Sequence, residues 1–304
     1  MEKPKIVVIV GPTAVGKTAL SIKIAKAFNG EIISADSVQV YKGLDIGSAK
    51  VTSEEMQGIR HHLIDILEPN EEYNVSYFVD EAKKSILDII SRNKLPIIVG
   101  GTGLYVSSLL YDIGAQCGKD EAYRASLEEI AKKEGTAKLH KMLEEVDSES
   151  AFLIHPNHKS RIIRALEIYH VSGKKKSEIK NSSESNYNYF LIGLTCDRDA
   201  LYERINLRVD KMIENGLIDE VRKLMERGIN LNNQAFKAIG YKETYAFLTN
   251  QLSETEYKEK LKQNSRNYAK RQLTWFKKMP NIKWYNYNDT NLIIKDVGEF
   301  IDGK

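Results

Sequence analysis

Near the amino end, one short stretch limits what this chain can fold into more than any other. Ile6 to Val10 is an unbroken β-branched run, the pattern of a strand buried on both faces, and it leads directly into Gly11-Pro12-Thr13-Ala14-Val15-Gly16-Lys17-Thr18. Apolar residues then recur at helical spacing from Thr18 to Phe28. Strand, loop and helix in this order make a phosphate cradle. The glycines let backbone N–H groups curl around phosphate oxygens, Lys17 adds a point charge, Thr18 can ligate Mg²⁺, and the helix contributes its positive end. The pattern specifies a polyphosphate without saying which one, and its obvious reading is ATP bound by a kinase or an NTPase.

The elements that follow extend one sheet. Strands are expected at Glu31 to Ala35, ending on Asp36, and at Ile97 to Val99, ending on Gly100-Gly101-Thr102-Gly103, with a helix from Ser76 to Arg92 leading into the latter. A further buried strand is expected at Phe190 to Thr195. Strands alternating with helices imply an α/β fold, a P-loop NTPase-like parallel sheet with helices on both faces. Between Gln116 and Tyr189 the pattern turns helical, at Glu121 to Glu134, Thr136 to Glu145 and Ser160 to Val171, and a polar stretch follows. This reads as a mostly helical inserted subdomain, so the expected division is 116–189 for the insertion and 1–115 with 190–304 for the core. Beyond it, Arg198 to Arg227 forms one or two amphipathic helices, Gly240 marks a break, and Glu254 to Lys278 is a basic helix.

Charge is uneven along the chain. The formal net charge of +3 predicts no partner by itself, but between Lys258 and Lys283 nine Lys or Arg face the single acid Glu259, leaving −5 for the remainder. The two cysteines, Cys117 and Cys196, lie far apart without metal-ligand neighbours, which gives neither a disulfide framework nor a zinc site and fits a reducing cytoplasm. His155 and His158 also lack companions at metal spacing. No apolar run approaches a membrane span or a signal peptide, so a soluble cytoplasmic protein is expected.

Ligands of open parallel sheets bind beyond the carboxyl ends of the strands, so Asp36, Thr102 and the Gly11–Thr18 loop should share one crevice. An NTPase would commonly place an Asp where Gly100-Gly101-Thr102-Gly103 stands; Asp65 is a substitute candidate. Asp36 with Ser37 and Gln39 offers a carboxylate, a hydroxyl and an amide able to meet the edge of a purine, or Asp36 simply caps a strand-to-helix junction. Arg204 and Arg208, four apart, emerge from one helix face and could close on phosphate, although Arg204 could equally pair with a local acid such as Asp210. Lys270-Arg271-Gln272-Leu273-Thr274-Trp275-Phe276-Lys277-Lys278 interleaves cations with adjacent aromatics, the combination that holds a backbone and stacks on bases; a solvated face with its aromatics in the core is the alternative. Ser160-Arg161-Ile162-Ile163-Arg164 forms a second basic cluster, and two such surfaces suggest a clamp on RNA.

Taken together, these segments resemble the bacterial tRNA dimethylallyltransferases, the isopentenyl transferases that modify adenosine 37 beside the anticodon. The likeness spans almost the whole chain: the Gly11–Thr18 loop; Asp36-Ser37-Val38-Gln39-Val40-Tyr41 with Asp45-Ile46-Gly47-Ser48-Ala49-Lys50; Gly100 to Tyr105; His155-Pro156-Asn157 with Arg161 and Arg164; Lys237-Ala238-Ile239-Gly240-Tyr241-Lys242; and Lys270 to Trp275. Ser48 stands where the family often has Thr. The resemblance implies transfer of a dimethylallyl group from dimethylallyl pyrophosphate to N6 of adenosine 37, in tRNAs reading codons that begin with U, with Mg²⁺ and without consuming ATP. It implies that the loop Gly11, Pro12, Thr13, Ala14, Val15, Gly16, Lys17 and Thr18 holds the donor pyrophosphate, that Thr18 carries Mg²⁺, that Asp36 takes the N6 proton and that Arg208 contacts the leaving group. The implied tRNA-facing positions are Asp36, Ser37, Val38, Gln39, Thr102, Arg124, Ser160, Arg161, Ile162, Ile163, Arg164, Lys237, Ala238, Ile239, Gly240, Tyr241, Lys242, Lys270, Arg271, Gln272, Leu273, Thr274, Trp275, Phe276 and Lys277. The implied partner is the anticodon stem-loop, bound by a monomer with no obligate protein partner. A P-loop kinase of small metabolites is the main competing reading.

Overall fold

The computed structural model describes residues 3–111, 118, 120–179 and 184–303. Cys117, the insertion boundary at Gln116 and residues 180–183 of the polar stretch lie outside them. The chain forms two compact units, Met1–Leu110 with Asn186–Lys304 and Tyr111–Ser185, so the division falls a few residues before each boundary read from the sequence.

The first unit is built on one six-stranded sheet: β1 (Lys5–Val10), β2 (Gly30–Ser34), β3 (His61–His62), β4 (Leu95–Gly100), β5 (Asn188–Thr195) and β6 (Ile282–Asn286). The strand order is β3-β2-β4-β1-β5-β6, and every pairing is parallel. At its centre Val8 of β1 lies between Ile98 of β4 and Leu191 of β5. Ile6 to Val10 are wholly buried because helices cover both faces, which is what their uninterrupted apolar run requires.

Before the second unit come α1 (Lys17–Ala27), α2 (Ser53–Met56), α3 (Val75–Ser91) and α4 (Gly103–Tyr111). Within it are α5 (Glu121–Glu134), α6 (Thr136–Val146), α7 (Ser148–Leu153) and α8 (Lys159–Ser172). After it follow α9 (Arg198–Glu214), α10 (Leu217–Glu226), α11 (Tyr241–Leu248), α12 (Glu254–Phe276) and α13 (Thr290–Asp302). The Arg198–Arg227 stretch is therefore two helices, parted at Asn215-Gly216, where Gly216 takes φ 98. In α3 the Asn74 side chain accepts from the Tyr77 N–H, and Phe78, Ala82, Ile86 and Ile89 form one buried stripe.

Seven elements have no counterpart in the sequence reading: α2, β3, α4, α7, α11, β6 and α13. β6 alternates only weakly, α13 buries just Ile293 and Val297, and α4 follows a glycine-rich turn that reads as a loop.

The second unit has its own small core, in which Leu127, Leu139, Leu143, Ile162, Ile163 and Leu166 are buried. Ile162 and Ile163, at 0% and 3% exposure, therefore cannot face RNA, and the expectation for them is corrected: on α8 they point inward while Ser160 and Arg161 point out. Arg164 and Arg124 both bind Glu167, at 2.6 and 2.8 Å, and Glu167 is fully buried. Their charge compensates a buried carboxylate, whose pKa they hold down against burial. Both guanidinium side chains remain about one-third exposed, so this structural task stands beside the RNA-facing one expected of them.

Candidate active site

The loop after β1 is held from three sides. Ala14 adopts a left-handed φ of 64°, uncommon for a residue with a Cβ, and its carbonyl accepts a hydrogen bond from Arg204 Nε at 2.9 Å. Thr13 donates its N–H to Gln272 Oε1 at 2.8 Å. Lys17 Nζ donates to the Gly11 and Pro12 carbonyls at 2.9 and 2.8 Å, closing the loop on itself. Beyond it, α1 opens with no side-chain cap and no acid in its first turn, so its backbone donors and positive end face outward.

A crevice of about 710 Å³ lies over the carboxyl ends of β1, β2 and β4. Thr13, Ala14, Gly16, Lys17 and Thr18 line it from the loop; Asp36, Ser37, Val38 and Gln39 from the end of β2; Arg204 and Arg208 from α9; Lys237 to Gly240 and Lys242 from the segment entering α11; and Tyr268, Arg271 and Gln272 from α12. Gly11, Pro12 and Val15 sit beneath the loop as support, with Val15 in the core.

Its electrostatics are those of an anion site. Lys17 is pushed down to about 7, chiefly by burial and then by the charge of Arg208, with Asp36 pulling the other way. Burial likewise lowers Arg208, opposed by Asp36 and Glu55. Arg208 makes no hydrogen bond or ion pair with any described residue. Two basic groups held together without a bonded carboxylate are costly to keep charged in a ligand-free protein, which is why Lys17 is pushed down, and a polyphosphate between them relieves that cost.

Asp36 does two things. Its Oδ1 accepts from the N–H groups of Val38 and Gln39 at 2.8 and 3.2 Å, the capping role its position allowed. Oδ2 takes no hydrogen bond from the described residues and belongs to a crevice-lining side chain, so the carboxylate is oriented by one oxygen and open at the other. Gln39 is less free than its sequence position suggested, because Ser34 Oγ donates to its Oε1 at 3.1 Å and its Nε2 donates to the Ala49 carbonyl at 3.3 Å. Asp65 is not among the lining residues; it pairs with Lys50.

The glycines at the end of β4 leave room for α12. A Cβ on Gly101 would lie 2.1 Å from Gln272 Nε2, and one on Gly103 2.3 Å from Trp275 Cδ1. The run exists so that α12 can dock. Gln272 then bridges the Thr13 N–H and the Gly101 carbonyl, the latter at 3.0 Å, while Trp275 Nε1 donates to Ser107 Oγ at 3.1 Å.

That docking corrects several expectations for Lys270–Lys277. Gln272 is 5% exposed and braces the loop, and Phe276 is 0% exposed in the core. Leu273 packs against the main core cluster. Lys270, Arg271, Thr274, Trp275 and Lys277 stay exposed, and Arg271 lies over the Tyr268 ring with 5.7 Å to its centroid. Tyr241 is also withdrawn from RNA, fully buried with its hydroxyl donating to Glu220 at 2.7 Å. Thr102 does not line the crevice; it sits beside the Tyr268 hydroxyl, whose pKa burial raises to about 12.

Tyr268 and the bracing role of Gln272 lacked a sequence signal, whereas Arg204, placed by its spacing on one helix face with Arg208, lines the crevice with it. Arg204 is engaged by Ala14 and by the Tyr287 ring, 4.6 Å from its centroid, while Asp210 pairs instead with Lys262. Tyr268 looked like any tyrosine of a basic helix. Gln272 acts across 259 positions of chain, so no local pattern could announce it.

A sequence model of the IPP transferase family matches residues 39–279, and one of the isopentenyl transferases matches residues 4–70. The chain is 50% identical to the tRNA dimethylallyltransferase of Bacillus anthracis, over 100% of this chain and 97% of that one. It is 51% identical to the tRNA dimethylallyltransferase of Geobacillus thermodenitrificans, over 99% and 97%. Among solved structures, the tRNA isopentenylpyrophosphate transferase of Bacillus halodurans aligns with a TM-score of 0.74 at 48% identity, covering 99% of this chain and 96% of that one. A eukaryotic dimethylallyltransferase acting on tRNA aligns with a TM-score of 0.87 at 32% identity, covering 99% and 80%. With relatives matched end to end and a crevice built for a polyphosphate, the chain belongs to the IPP transferase family.

Proposed function

We propose that this chain transfers the dimethylallyl group of dimethylallyl pyrophosphate to N6 of adenosine 37 in tRNAs that read codons beginning with U. One observation carries the reading: two basic side chains, Lys17 and Arg208, neither bonded to a carboxylate among the described residues, share their crevice with a carboxylate open at one oxygen, Asp36. The names of the relatives supply the substrate class.

In the reaction the allylic C–O bond breaks, its electrons leave with the pyrophosphate, and a new C–N6 bond forms. The barrier comes from charge building on the leaving oxygens, and donors fixed around them lower it by about 1.4 kcal/mol for every tenfold in rate. Lys17, Arg208 and the loop N–H groups fill that role, and Arg204 and Gln272 keep the loop in shape. The adenine N6 is a poor nucleophile because its lone pair is delocalised; Asp36 Oδ2 accepts its hydrogen bond and then its proton. The target base must leave its stack, at a cost of a few kcal/mol, to reach a crevice this deep.

Magnesium fits the donors present. Among the described residues no three His, Cys, Asp or Glu converge on a metal, but Thr18 offers an exposed hydroxyl at the loop, and Mg²⁺ commonly takes one or two protein oxygens and completes its shell from phosphates and water. When bound there, the ion adds positive charge beside the leaving pyrophosphate.

The exposed Lys270, Arg271 and Trp275 of α12 and Lys277 just after it, with Lys237 and Lys242, form the RNA-facing rim of the first unit; Ser160 and Arg161 serve the second. No described helix is long and apolar enough to cross a membrane. We take the protein to act in the cytoplasm as a monomer.

The test is pyrophosphate release from dimethylallyl pyrophosphate in Mg²⁺, with and without an anticodon stem-loop, beside ATP with small acceptors. Release that needs the RNA supports the proposal. ATP turnover with no RNA-dependent release would replace it with a kinase.

A further inference from the structure

Glu220, on α10, has the most heavily used carboxylate near the crevice without lining it. Its Oε2 accepts from the N–H groups of Asp45 and Ile46 at 3.0 and 2.7 Å. Its Oε1 accepts from the Gly47 N–H at 3.1 Å and from the Tyr241 hydroxyl at 2.7 Å. Three successive backbone donors of one turn and a buried phenol thus converge on a single side chain. The Tyr241 ring lies against the same turn, where a Cβ on Gly47 would come within 2.6 Å of it.

The turn continues toward the reaction centre. The carbonyl of Ala49, with that of Ser48 at the limit of bonding distance, receives Gln39 Nε2. Gln39 Oε1 is fixed by Ser34, and the Gln39 N–H is one of the two donors that set the angle of the Asp36 carboxylate. An unbroken path of hydrogen bonds and short backbone links therefore runs from Tyr241 through Glu220, the 45–49 turn and Gln39 to Asp36. Its far end is the Lys237–Lys242 segment, which lines the crevice and bears two exposed lysines.

We infer that Glu220 is a positioning residue: by clamping the Asp45–Gly47 turn to Tyr241 it holds Gln39, and through Gln39 the Asp36 carboxylate, in the attitude that accepts the N6 proton. The inference rests on the proposed reaction. Loss of the clamp should slow the chemical step and spare the donor site, because the phosphate loop is braced separately by Gln272 and Arg204.

The experiment compares wild type, Glu220→Ala, Glu220→Gln and Tyr241→Phe, with single-turnover rates on a stem-loop and the KM for dimethylallyl pyrophosphate. Glu220→Ala should slow turnover at least about tenfold, with donor KM changed less than about twofold. Tyr241→Phe, which removes one of four bonds, should fall between it and wild type, and the double variant should add little to Glu220→Ala. If Glu220→Ala does not fold, Glu220→Gln and Tyr241→Phe decide on the same two readouts. Unchanged turnover in the folded variants, or a donor KM rising in step with the loss of rate, overturns the inference. A wild-type protein that fails to alkylate the stem-loop would instead refute the proposed function.

Discussion

Gln272→Leu separates a bracing role for α12 from an RNA-reading one. Leucine fills nearly the same space but cannot bond, leaving the Thr13 N–H and the Gly101 carbonyl without partners in a site where Gln272 is 5% exposed. Each unsatisfied buried group costs about 1–3 kcal/mol, so the local loss is about 2–4 kcal/mol once partial relaxation is allowed. With two compact units in the chain, a single global unfolding free energy is a poor readout. Hydrogen exchange at the Thr13 amide reports the brace directly and should quicken by about thirtyfold to about 700-fold, one decade for each ~1.4 kcal/mol. The KM for dimethylallyl pyrophosphate should rise as the loop loosens, while stem-loop affinity stays close to wild type. Unchanged exchange and donor KM, combined with weakened RNA binding, would refute the reasoning and return Gln272 to the RNA surface.

Other perturbations reach other parts of the site. Asp36→Asn keeps the bond to the Val38 and Gln39 amides but loses the proton acceptor, so single-turnover rate should drop by about 10²–10⁴ with stem-loop Kd unchanged; a near-normal rate would remove Asp36 from the chemistry. The folded-state pKa of Lys17 lies near 7, below its unfolded value of 10.5, so between those pH values the unfolded chain binds more protons and the ligand-free protein gains stability as pH rises. Lys17→Met should abolish that rise, as followed by thermal midpoint across the range. Lys270→Ala with Arg271→Ala should flatten the salt dependence of stem-loop binding by about 0.7 in log–log slope for each phosphate no longer neutralised; an unaltered slope would make both residues ordinary solvated charges.

What the sequence announced was what is local. The phosphate loop, Asp36 at the end of β2 and the glycine run after β4 are each written within a few consecutive residues, and parallel β-branched strands read plainly because both their faces are buried. The identity of α12's two faces was not readable in the same way. Tyr257, Leu261, Ala269, Gln272 and Phe276 form its buried stripe, and a polar Gln inside it looks like surface until the loop and glycines it joins are folded against it. Ile162 and Ile163 misled for the converse reason, apolar residues counted with the cations beside them. Spacing put Arg204 on the crevice face with Arg208 but could not name its partner, the Ala14 carbonyl, and Glu220, whose partners are a run of distant amides, carried no signal at all.

The most direct test of the proposed reaction is the mass of an anticodon stem-loop carrying adenosine 37 after incubation with the protein, Mg²⁺ and dimethylallyl pyrophosphate, in the absence of ATP. The expected result is a gain of one five-carbon prenyl group on the N6 of that adenosine, dependent on Asp36. An RNA of unchanged mass, or one modified only when ATP is supplied, would contradict it.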